Sequence, residues 1–474
     1  MEFFSGRLAT VAVSLSIAVP ALAQESPAAP PRPALPDLSR EIEANKSYVI
    51  PAAEIVGFDA LLNAFDRHYI GDEFKSTASS IRRNLHSAWV VDSDPFTVNQ
   101  LGHPYQGAMY HGFARASGLS YWEGLGYTFL GSAFWEIAGE NTTPSRNDQI
   151  NTGIGGTFLG EALFRMSNLI LEHEHPSSFW REVAAAAVSP PVGFNRAAFG
   201  ERFRNIYPSH DPVYLTRFEL GYSGSAQGSG GGTSTVSLKR HEFQTDFFMD
   251  YGLPGKRDYE YTRPFDYFSF QATASSANGF ENLMTRGLLV GRDYRAGDRY
   301  RGVLGLYGNY DYIAPQTYRV SITGLSLGTT GQWWASDNVA VQGTGLLGVG
   351  YAAAGTEHAT TDKDYHYGVA PQALVNLRTI VGSRWAFDVT AREYFVSRAG
   401  AAQRGGHENI VRMDAVLTYR VHKRHAIALK YLGNRRDTYY PDAGDQTQRR
   451  GTIGIFYTLL GHDGFGAVEW REGK

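Results

Sequence analysis

The second half of the chain alternates between apolar and polar residues at a period of two. Across Val411–Tyr419, most alternate residues are apolar or aromatic, whereas Arg412 and Asp414 lie on the opposite face. A helix would mix these two sets within two turns, so the pattern predicts a β-strand. Between Val213 and Leu460 we count about twelve such segments, each of roughly 10 to 16 residues.

The polar faces of these strands decide between two kinds of barrel. A soluble barrel has a packed apolar interior, whereas the lumen of an outer-membrane barrel is wet and holds charges. Toward the C-terminus, short turns also alternate with longer polar loops, as in bacterial outer-membrane barrels. Residues 211–474 are therefore predicted to form an antiparallel transmembrane β-barrel of about 12 strands. Phe465–Trp470 could add a strand, and Tyr307, Tyr310 and Tyr312 are expected near the lipid headgroups. The predicted inward charges are Arg378, Asp388, Arg392, Arg412, Asp414 and Lys430.

The first half of the chain has a helical pattern instead. Phe58, Leu61 and Phe65 recur at helical intervals, and clean alternation is absent there. The segment Ile150–Leu171 is rich in glycine, which destabilises an isolated helix by roughly 1 kcal/mol per site. These glycines therefore predict close contacts between helices. We expect a helical domain over residues 51–205 that caps or plugs the periplasmic side of the barrel, which makes the fold class α+β.

The N-terminus has the pattern of a secretory signal peptide. Arg7 precedes the apolar run Leu8–Pro20, and small residues follow up to Ala23. The apolar run is well short of the roughly 20 residues that a membrane-spanning helix needs. We therefore predict a cleaved signal peptide at residues 1–23, followed by a tether rich in proline and alanine at residues 24–50.

The composition narrows the classes of function. The 474 residues carry a net charge of −3 and an isoelectric point near 6.5, so no basic surface indicates a nucleic-acid partner. The chain has no cysteine, which excludes disulfides, thiolate metal sites and cysteine nucleophiles. It has 53 glycines, 28 tyrosines and 27 phenylalanines at a mean hydropathy of −0.30. This combination is typical of transmembrane barrels, in which only alternate residues face lipid.

A set of motifs in the helical half resembles a known family. The motifs are Asp92–Gln100, His103–Gly107, Tyr110, Ala114-Arg115, Gly118, Gly131-Ser132, Trp135-Glu136, Glu140, Pro144, Asn147-Asp148, Thr152, Gly155-Gly156, Gly160-Glu161, Arg165, Pro191, Gly193 and Asn195-Arg196. Over about residues 50–200, this set resembles the family known as domain of unknown function 3943. The resemblance implies a bacterial envelope protein of uncharacterised role, and it implies no activity.

Five titratable residues of this half form a candidate site for chemistry. Glu136 and Glu140 lie one helical turn apart, and His103, His111 and Asp148 are close to them in sequence. Together they could form a metal site with carboxylate and imidazole ligands, or an acid/base pair for hydrolysis. Their spacing, however, matches no established metal or catalytic-triad signature.

The alternative interpretation of these residues is structural. In it, the carboxylates of Glu136, Glu140 and Glu161 would pair with Arg115 and Arg165 inside a tightly packed helical bundle. Glu161 and Arg165 already have the i,i+4 spacing of a helical ion pair. We favour this interpretation and expect neither a cofactor nor a metal. The candidate binding residues are Tyr105, Arg115, Trp135, Asn147, Glu161 and Arg165.

The sequence leaves three functions open for an exported outer-membrane protein in contact with lipid. The first is non-enzymatic, in which the barrel anchors or conducts and the helices gate it or bind a lipid or small solute. The second is an enzyme that modifies membrane lipids or catalyses hydrolysis with the His/Glu/Asp cluster. In the third, the helices are a docking surface for a periplasmic protein partner.

Overall fold

The computed structural model of the chain describes residues 45–92, 94–172, 178–204, 206–231, 234–277, 279–315, 318–355, 363, 365–399, 406–441 and 444–471, with the side chains of residues 226–240 left aside. The predicted signal peptide and nearly all of the predicted tether therefore lie outside the described residues.

Helices make up the first half of the described chain. Ser120 and Glu123 form a capping box at the start of one helix, and Ser145 caps another. Among the described residues, no helix is both long enough and apolar enough to cross a lipid bilayer. The α-helices are α1 (Val49–Tyr69), α2 (Ala78–Asn84), α3 (His103–Ala116), α4 (Tyr121–Phe134), α5 (Arg146–Ile150), α6 (Gly156–Glu172), α7 (Phe179–Val188) and α8 (Pro190–Phe199), with 3-10 turns at Asp72–Phe74 and Gly200–Phe203.

Three single turns of π-helix adjoin these α-helices. They are Val98–Gly102, Trp135–Gly139 and Asn151–Gly155. The first leads into α3, the second extends α4, and the third joins α5 to α6. Such turns are rare and occur often at functional sites.

The second half of the described chain is a β-barrel. Each strand pairs antiparallel with the next, and the first strand closes on the last. The twelve strands confirm the predicted fold class, and closure leaves no unpaired sheet edge. They are β1 (Tyr214–Gly231), β2 (Ser234–Tyr251), β3 (Phe268–Ser275), β4 (Asn282–Ala296), β5 (Tyr300–Ile313), β6 (Val320–Ser336), β7 (Val339–Gly355), β8 (Tyr365–Val381), β9 (Trp385–Val396), β10 (His407–His422), β11 (His425–Tyr440) and β12 (Gly444–Leu460).

The two ends of the barrel differ in their connections. At the turn end, where β1 begins, four connections are short: 297–299, 337–338, 382–384 and 423–424. The connection 252–267 is the long exception at that end. At the loop end, connections such as 356–364 and 397–406 are longer. However, only two residues separate β1 from β2 at this end, and only three separate β11 from β12. The asymmetry that the sequence indicated is therefore present in part.

The helices pack closely because glycines face one another. A Cβ atom on Gly107 would lie 2.0 Å from the carbonyl oxygen of Thr152, and one on Gly156 would lie 2.6 Å from the Cα atom of Gly107. Neither position has room for any other residue type. The predicted close contacts are therefore present, and they hold α3 directly against α6.

The strand β5 shows which residues face in and which face out. Asp311 faces the lumen, because its carboxylate accepts a hydrogen bond from the Tyr394 hydroxyl of β9 at 3.0 Å. Leu304 faces outward and is 59% exposed. Tyr310 and Tyr312 share the outward face of Leu304, yet they are only 1% and 3% exposed. Another part of the chain therefore covers this part of the wall.

The helical region covers this part of the barrel wall. Phe96, Phe158 and Leu159 pack in one hydrophobic cluster with outward residues of the strands, among them Tyr310 and Tyr312. The helices therefore lie along the outer wall of the barrel, in place of the predicted cap or plug. One cross-strand row of wall positions consists of Phe247, Ala272, Leu283, Tyr312, Ser321, Ala353 and Tyr367.

The predicted aromatic girdle at Tyr307, Tyr310 and Tyr312 is accordingly wrong. Tyr307 is fully buried in an interior cluster, whereas Tyr310 donates a hydrogen bond to the backbone carbonyl of Gln100 in the helical region. Period-two alternation identifies an outward apolar residue, but it does not tell whether that residue meets lipid or another part of the chain.

Charged side chains fill the middle of the lumen, as predicted. Ion pairs cross it from strand to strand: Arg217 of β1 lies 2.9 Å from Asp388 of β9, and Arg378 of β8 lies 2.8 Å from Asp250 of β2. Between them is a cavity of about 120 Å³, which all six predicted inward charges line.

The segment that enters the barrel is the C-terminal one. Gln332 donates a hydrogen bond to the Val468 carbonyl at 2.7 Å, and Gln342 donates to the Gly466 carbonyl at 2.8 Å. Trp470 packs against Trp334 in the apolar cluster at the turn end. Phe465–Trp470 is therefore not an added strand, and it occupies the lumen at the turn end.

Candidate functional site

The structure brings three of the five candidate residues into one cluster. One ligand atom each of His103, Glu136 and Asp148 lies within 4.8 Å of the other two. The shortest contact between the imidazole and a carboxylate is 3.9 Å, from His103 Nε2 to Asp148 Oδ1. All three side chains are at most 5% exposed. We call these three residues the acidic cluster.

Each residue of the acidic cluster lies at or near a junction between α-helix and π-helix. His103 begins α3 directly after one π-turn, Glu136 lies within the second, and Asp148 lies in α5 just before the third. Ser145 couples two of these elements. Its backbone N–H donates to Glu136 at 2.7 Å, and its hydroxyl accepts from the backbone N–H of Asp148 at 3.2 Å.

Asp92 is the third carboxylate at this site. Its Oδ1 atom accepts hydrogen bonds from the side-chain amides of Asn99 and Asn147, each at 2.7 Å. Asn147 also lies 2.9 Å from Asp148 Oδ1, so its amide links the two carboxylates. This predicted binding residue therefore supports the acidic cluster from one side.

The barrel wall supports the acidic cluster from the other side. The Tyr367 hydroxyl lies 2.8 Å from the Asn147 amide and 3.2 Å from the Asn99 amide. The Tyr365 hydroxyl lies 2.9 Å from the Asn99 amide and donates to the Asp94 carbonyl at 2.8 Å. Both tyrosines face outward from β8, so the cluster is built where the helices meet the wall.

The electrostatic environment of the acidic cluster is unbalanced. Burial lowers the pKa of His103 to about 4, so the imidazole is neutral near pH 7. Burial raises the pKa of Asp148 well above its usual range, and the charges of Asp92 and Glu136 raise it further. Burial also raises the pKa of Glu136 well above its usual range, and the charge of Glu140 raises it further. Within the described ranges, no Lys or Arg side chain pairs with Asp92, Glu136 or Asp148.

Glu140 lies beside the acidic cluster with partners of its own. Its carboxylate accepts hydrogen bonds from the Trp135 indole at 2.8 Å and from the Thr142 hydroxyl at 2.9 Å. Burial raises the pKa of Glu140 to about 7. Trp135, a predicted binding residue, is thus buried and serves to hold this carboxylate.

His111 belongs to a different cluster, centred on Glu161. His111 Nε2 lies 3.0 Å from Glu161, whose two oxygens also pair with Arg115 at 2.7 Å and with Arg165 at 2.8 Å. Arg165 reaches on to Asp266 in the long connection at the turn end, at 3.0 Å. We call these five residues the paired cluster.

In the paired cluster, the charges compensate one another. Burial raises the pKa of Glu161, but Arg115, His111 and Arg165 outweigh it, so the pKa is well below the usual range. The expected pairs of Arg115 and Arg165 with Glu161 are therefore present. Glu136 and Glu140 do not pair with these arginines, so the expected pairing was wrong for these two carboxylates, which have other partners. Tyr105, the remaining binding candidate, is 46% exposed.

Four residues that surround the acidic cluster were not identified from the sequence. Asp92 and Asn99 lie in the motif run that carries the family resemblance, and their polar, amide-rich pattern was the signal available. Tyr365 and Tyr367 gave no such signal, because outward aromatic residues are also what a lipid-facing strand contains.

A comparison with known families agrees with the motifs. Residues 88–191 match the model of a family described as a domain of unknown function (DUF3943), which confirms the resemblance drawn from the sequence. All residues of the acidic cluster, and Asp92, lie inside the matched segment. No curated protein matches the sequence of this chain.

Several solved outer-membrane channels are similar to the chain at a low level. The NanC porin is 11% identical with a TM-score of 0.23, over 50% of this chain and 98% of that one. An outer membrane channel from Pseudomonas putida F1 is 10% identical with a TM-score of 0.29, over 54% and 100%. The channel DcaP of Acinetobacter baumannii is 8% identical with a TM-score of 0.24, over 52% and 96%. Scores this low carry no argument about the role of this chain.

Proposed function

We propose that this protein lies in the outer membrane, where its barrel anchors the helical region and does not form an open pore. The observation that carries the proposal is the division of side chains between the two faces of the barrel wall. Where helices do not cover the strands, the outward positions are large and apolar, whereas the inward positions hold paired charges. Hydrocarbon outside and a polar interior make that division stable.

The outward apolar surface continues across six neighbouring strands, from β8 through β12 to β1. In water it would form an apolar patch far larger than soluble monomers normally expose. Its exposed members include Phe218, Leu220, Val375, Leu377, Phe387, Met413, Leu417, Ile427, Leu429, Ile453 and Ile455.

The interior of the barrel supports a closed state. Two ion pairs and the 3.0 Å hydrogen bond from Arg412 to Asn282 run between strands that are not neighbours, so they cross the lumen. The C-terminal segment fills the turn end, and an apolar cluster that includes Tyr318, Ile322 and Tyr394 fills the loop end.

The helical region also has an apolar exterior. Leu61, Leu130 and Trp180 are 69–76% exposed, as expected for helices that lie beside the wall and touch the same lipid. The acidic cluster is buried beneath these helices, which favours a binding role over hydrolysis, because a substrate must reach the reacting groups. A periplasmic protein partner remains a further proposal for this exterior.

The location is tested by fractionation. We expect the mature chain in the outer-membrane fraction, released only by detergent and not by carbonate or urea. Recovery as a protein soluble without detergent would contradict the proposal.

The closed state is tested in planar bilayers with the full chain and two truncations. We expect the full chain to be silent and a chain truncated after Leu460 to be silent as well, because the crossing ion pairs and the apolar cluster at the loop end remain without the C-terminal segment. Truncation after Arg471 is the matched control, since it keeps all the described contacts of that segment. Steady conductance of the full chain would show an open pore and refute the anchor role.

A further inference from the structure

The acidic cluster offers ligand atoms of two kinds around one point. The imidazole of His103 supplies a nitrogen, and the carboxylates of Glu136 and Asp148 supply oxygens, with the three atoms within 4.8 Å of one another. Donor atoms around a bound zinc ion lie about 3–4 Å apart, since each bond is about 2 Å long. A pair of ligand atoms at the upper limit of 4.8 Å would need to approach by about 1–2 Å.

Two features of the surroundings point to a missing positive charge. The Asp92 carboxylate lies on the same site, and within the described part of the chain no lysine or arginine pairs with any of these three carboxylates. Buried carboxylates are otherwise paired with a cation or bound to a metal. By contrast, two arginines balance the equally buried Glu161 in the same helical region.

A buried amide supplies an independent observation. Asn99 is fully buried, and its amide nitrogen donates to Asp92 at 2.7 Å, while its carbonyl oxygen Oδ1 has no hydrogen-bond partner. An unsatisfied buried carbonyl costs about 1–3 kcal/mol, so such a group calls for a ligand or water in reach. This oxygen lies on the residue that holds the third carboxylate of the site.

We propose that the acidic cluster binds one divalent transition-metal ion of the zinc(II) or manganese(II) class, with His103, Glu136 and Asp148 as ligands. Asp92 and Asn147 orient these ligands from behind. An imidazole ligand favours transition metals over calcium and magnesium, which take oxygen ligands. The ion would tie together α3, the π-turn Trp135–Gly139 and α5, beside Tyr367 of the barrel wall. This inference goes beyond the proposed membrane anchor and does not depend on whether the barrel conducts.

The first experiment measures metal binding by the full chain in detergent. After chelation, the protein is titrated with Zn²⁺, Mn²⁺ and Ca²⁺, and bound metal is counted by mass spectrometry. We expect one equivalent of zinc or manganese, weaker binding of calcium, and a rise in the melting temperature of the helical region with the bound metal. No bound zinc or manganese, or equal affinity for calcium, would overturn the proposal.

The second experiment assigns the ligands. Glu136→Gln and Asp148→Asn keep the shape of the site, so we expect folded proteins whose metal affinity falls at least about 100-fold. Glu140→Gln is the matched control, because Glu140 is equally buried and adjacent but bonds to Trp135 and Thr142. Equal losses in all three variants, or none in the first two, would place the metal elsewhere.

The third experiment detects the imidazole directly. Pulsed electron paramagnetic resonance of the Mn²⁺-loaded chain should show coupling to a ¹⁴N nucleus, and His103→Gln should abolish it. His111→Gln is the control, since His111 lies in the paired cluster. A nitrogen signal that persists in His103→Gln would refute His103 as a ligand.

Discussion

Two clusters of buried carboxylates lie in the same helical region, and they differ in the charged partners of those carboxylates. In the paired cluster, Arg115 and Arg165 hold Glu161 from both sides at 2.7 and 2.8 Å, and its pKa is lowered. In the acidic cluster, no arginine or lysine among the described residues holds Glu136 or Asp148, and burial raises the pKa of both. The first arrangement balances its buried carboxylate with arginines, whereas the second has no balancing Lys or Arg among the described residues.

Both clusters also tie the helices to the barrel. Arg165 of the paired cluster reaches Asp266, and the amide of Asn147 beside the acidic cluster reaches Tyr367, 2.8 Å away. The two clusters therefore do not differ in whether they contact the barrel. They differ in the side chains that surround their carboxylates, which determine how the stability changes when one carboxylate is removed.

The largest expected effect is at the centre of the paired cluster. Glu161→Gln leaves two buried guanidinium groups without their shared carboxylate, so we expect the helical region to lose about 3–5 kcal/mol of stability. Denaturant unfolding of the detergent-solubilised chain measures this loss. The control is Glu182→Gln, whose partially exposed pair with Arg196 is worth about 0–1 kcal/mol. Similar losses in both variants would remove the distinction.

A smaller effect on stability is expected where the helical region packs against the barrel wall. Gly308 of β5 faces the Phe158 ring of α6, and a Cβ atom there would lie 2.4 Å from it. We expect Gly308→Ala to loosen the helices from the wall at a cost of about 1–3 kcal/mol. Limited proteolysis of the helical region reports this loosening. Gly345→Ala is the matched control, because its Cβ atom would have no neighbour within 4 Å. Unchanged proteolysis of Gly308→Ala would argue against helix docking on the wall.

Loss of a carboxylate from the acidic cluster should change the stability of the protein in the opposite direction. In metal-free protein, Asp148→Asn removes a carboxyl group whose ionisation is disfavoured by burial and by the charges of Asp92 and Glu136, so we expect no loss of stability and a gain on the order of 1 kcal/mol. The same unfolding assay, performed with a chelator present, compares it with Glu161→Gln. A loss as large as that of Glu161→Gln would show that the two clusters are alike after all.

The smallest effect concerns pH in the paired cluster. Because the folded-state pKa of Glu161 is lowered, its contribution is fully present above the unfolded pKa of about 4.5 and is lost only as the pH falls through the folded value. The stability difference between the wild type and Glu161→Gln should therefore stay constant from pH 8 to pH 5. A difference that shrinks within this window would contradict the assigned charge balance.

The sequence by itself determined the class of each half of the molecule. Alternation at period two predicts strands whatever surrounds them, and the charges opposite the apolar face identify the lumen side. Helical spacing and facing glycines likewise predict close helix packing, which Gly107 and Gly156 confirm. These properties are local, because each depends only on neighbours in the chain.

Only the tertiary structure decided which distant segments of the chain contact each other. Tyr310 and Tyr367 have the pattern of lipid-facing residues, yet the helices cover them, and the C-terminal segment, not the helical region, enters the barrel. Likewise, His103 and His111 are both near Glu136 in sequence, but the fold assigns them to different clusters. The physical reason is that a side chain's partner depends on contacts between distant segments, which residue spacing does not encode.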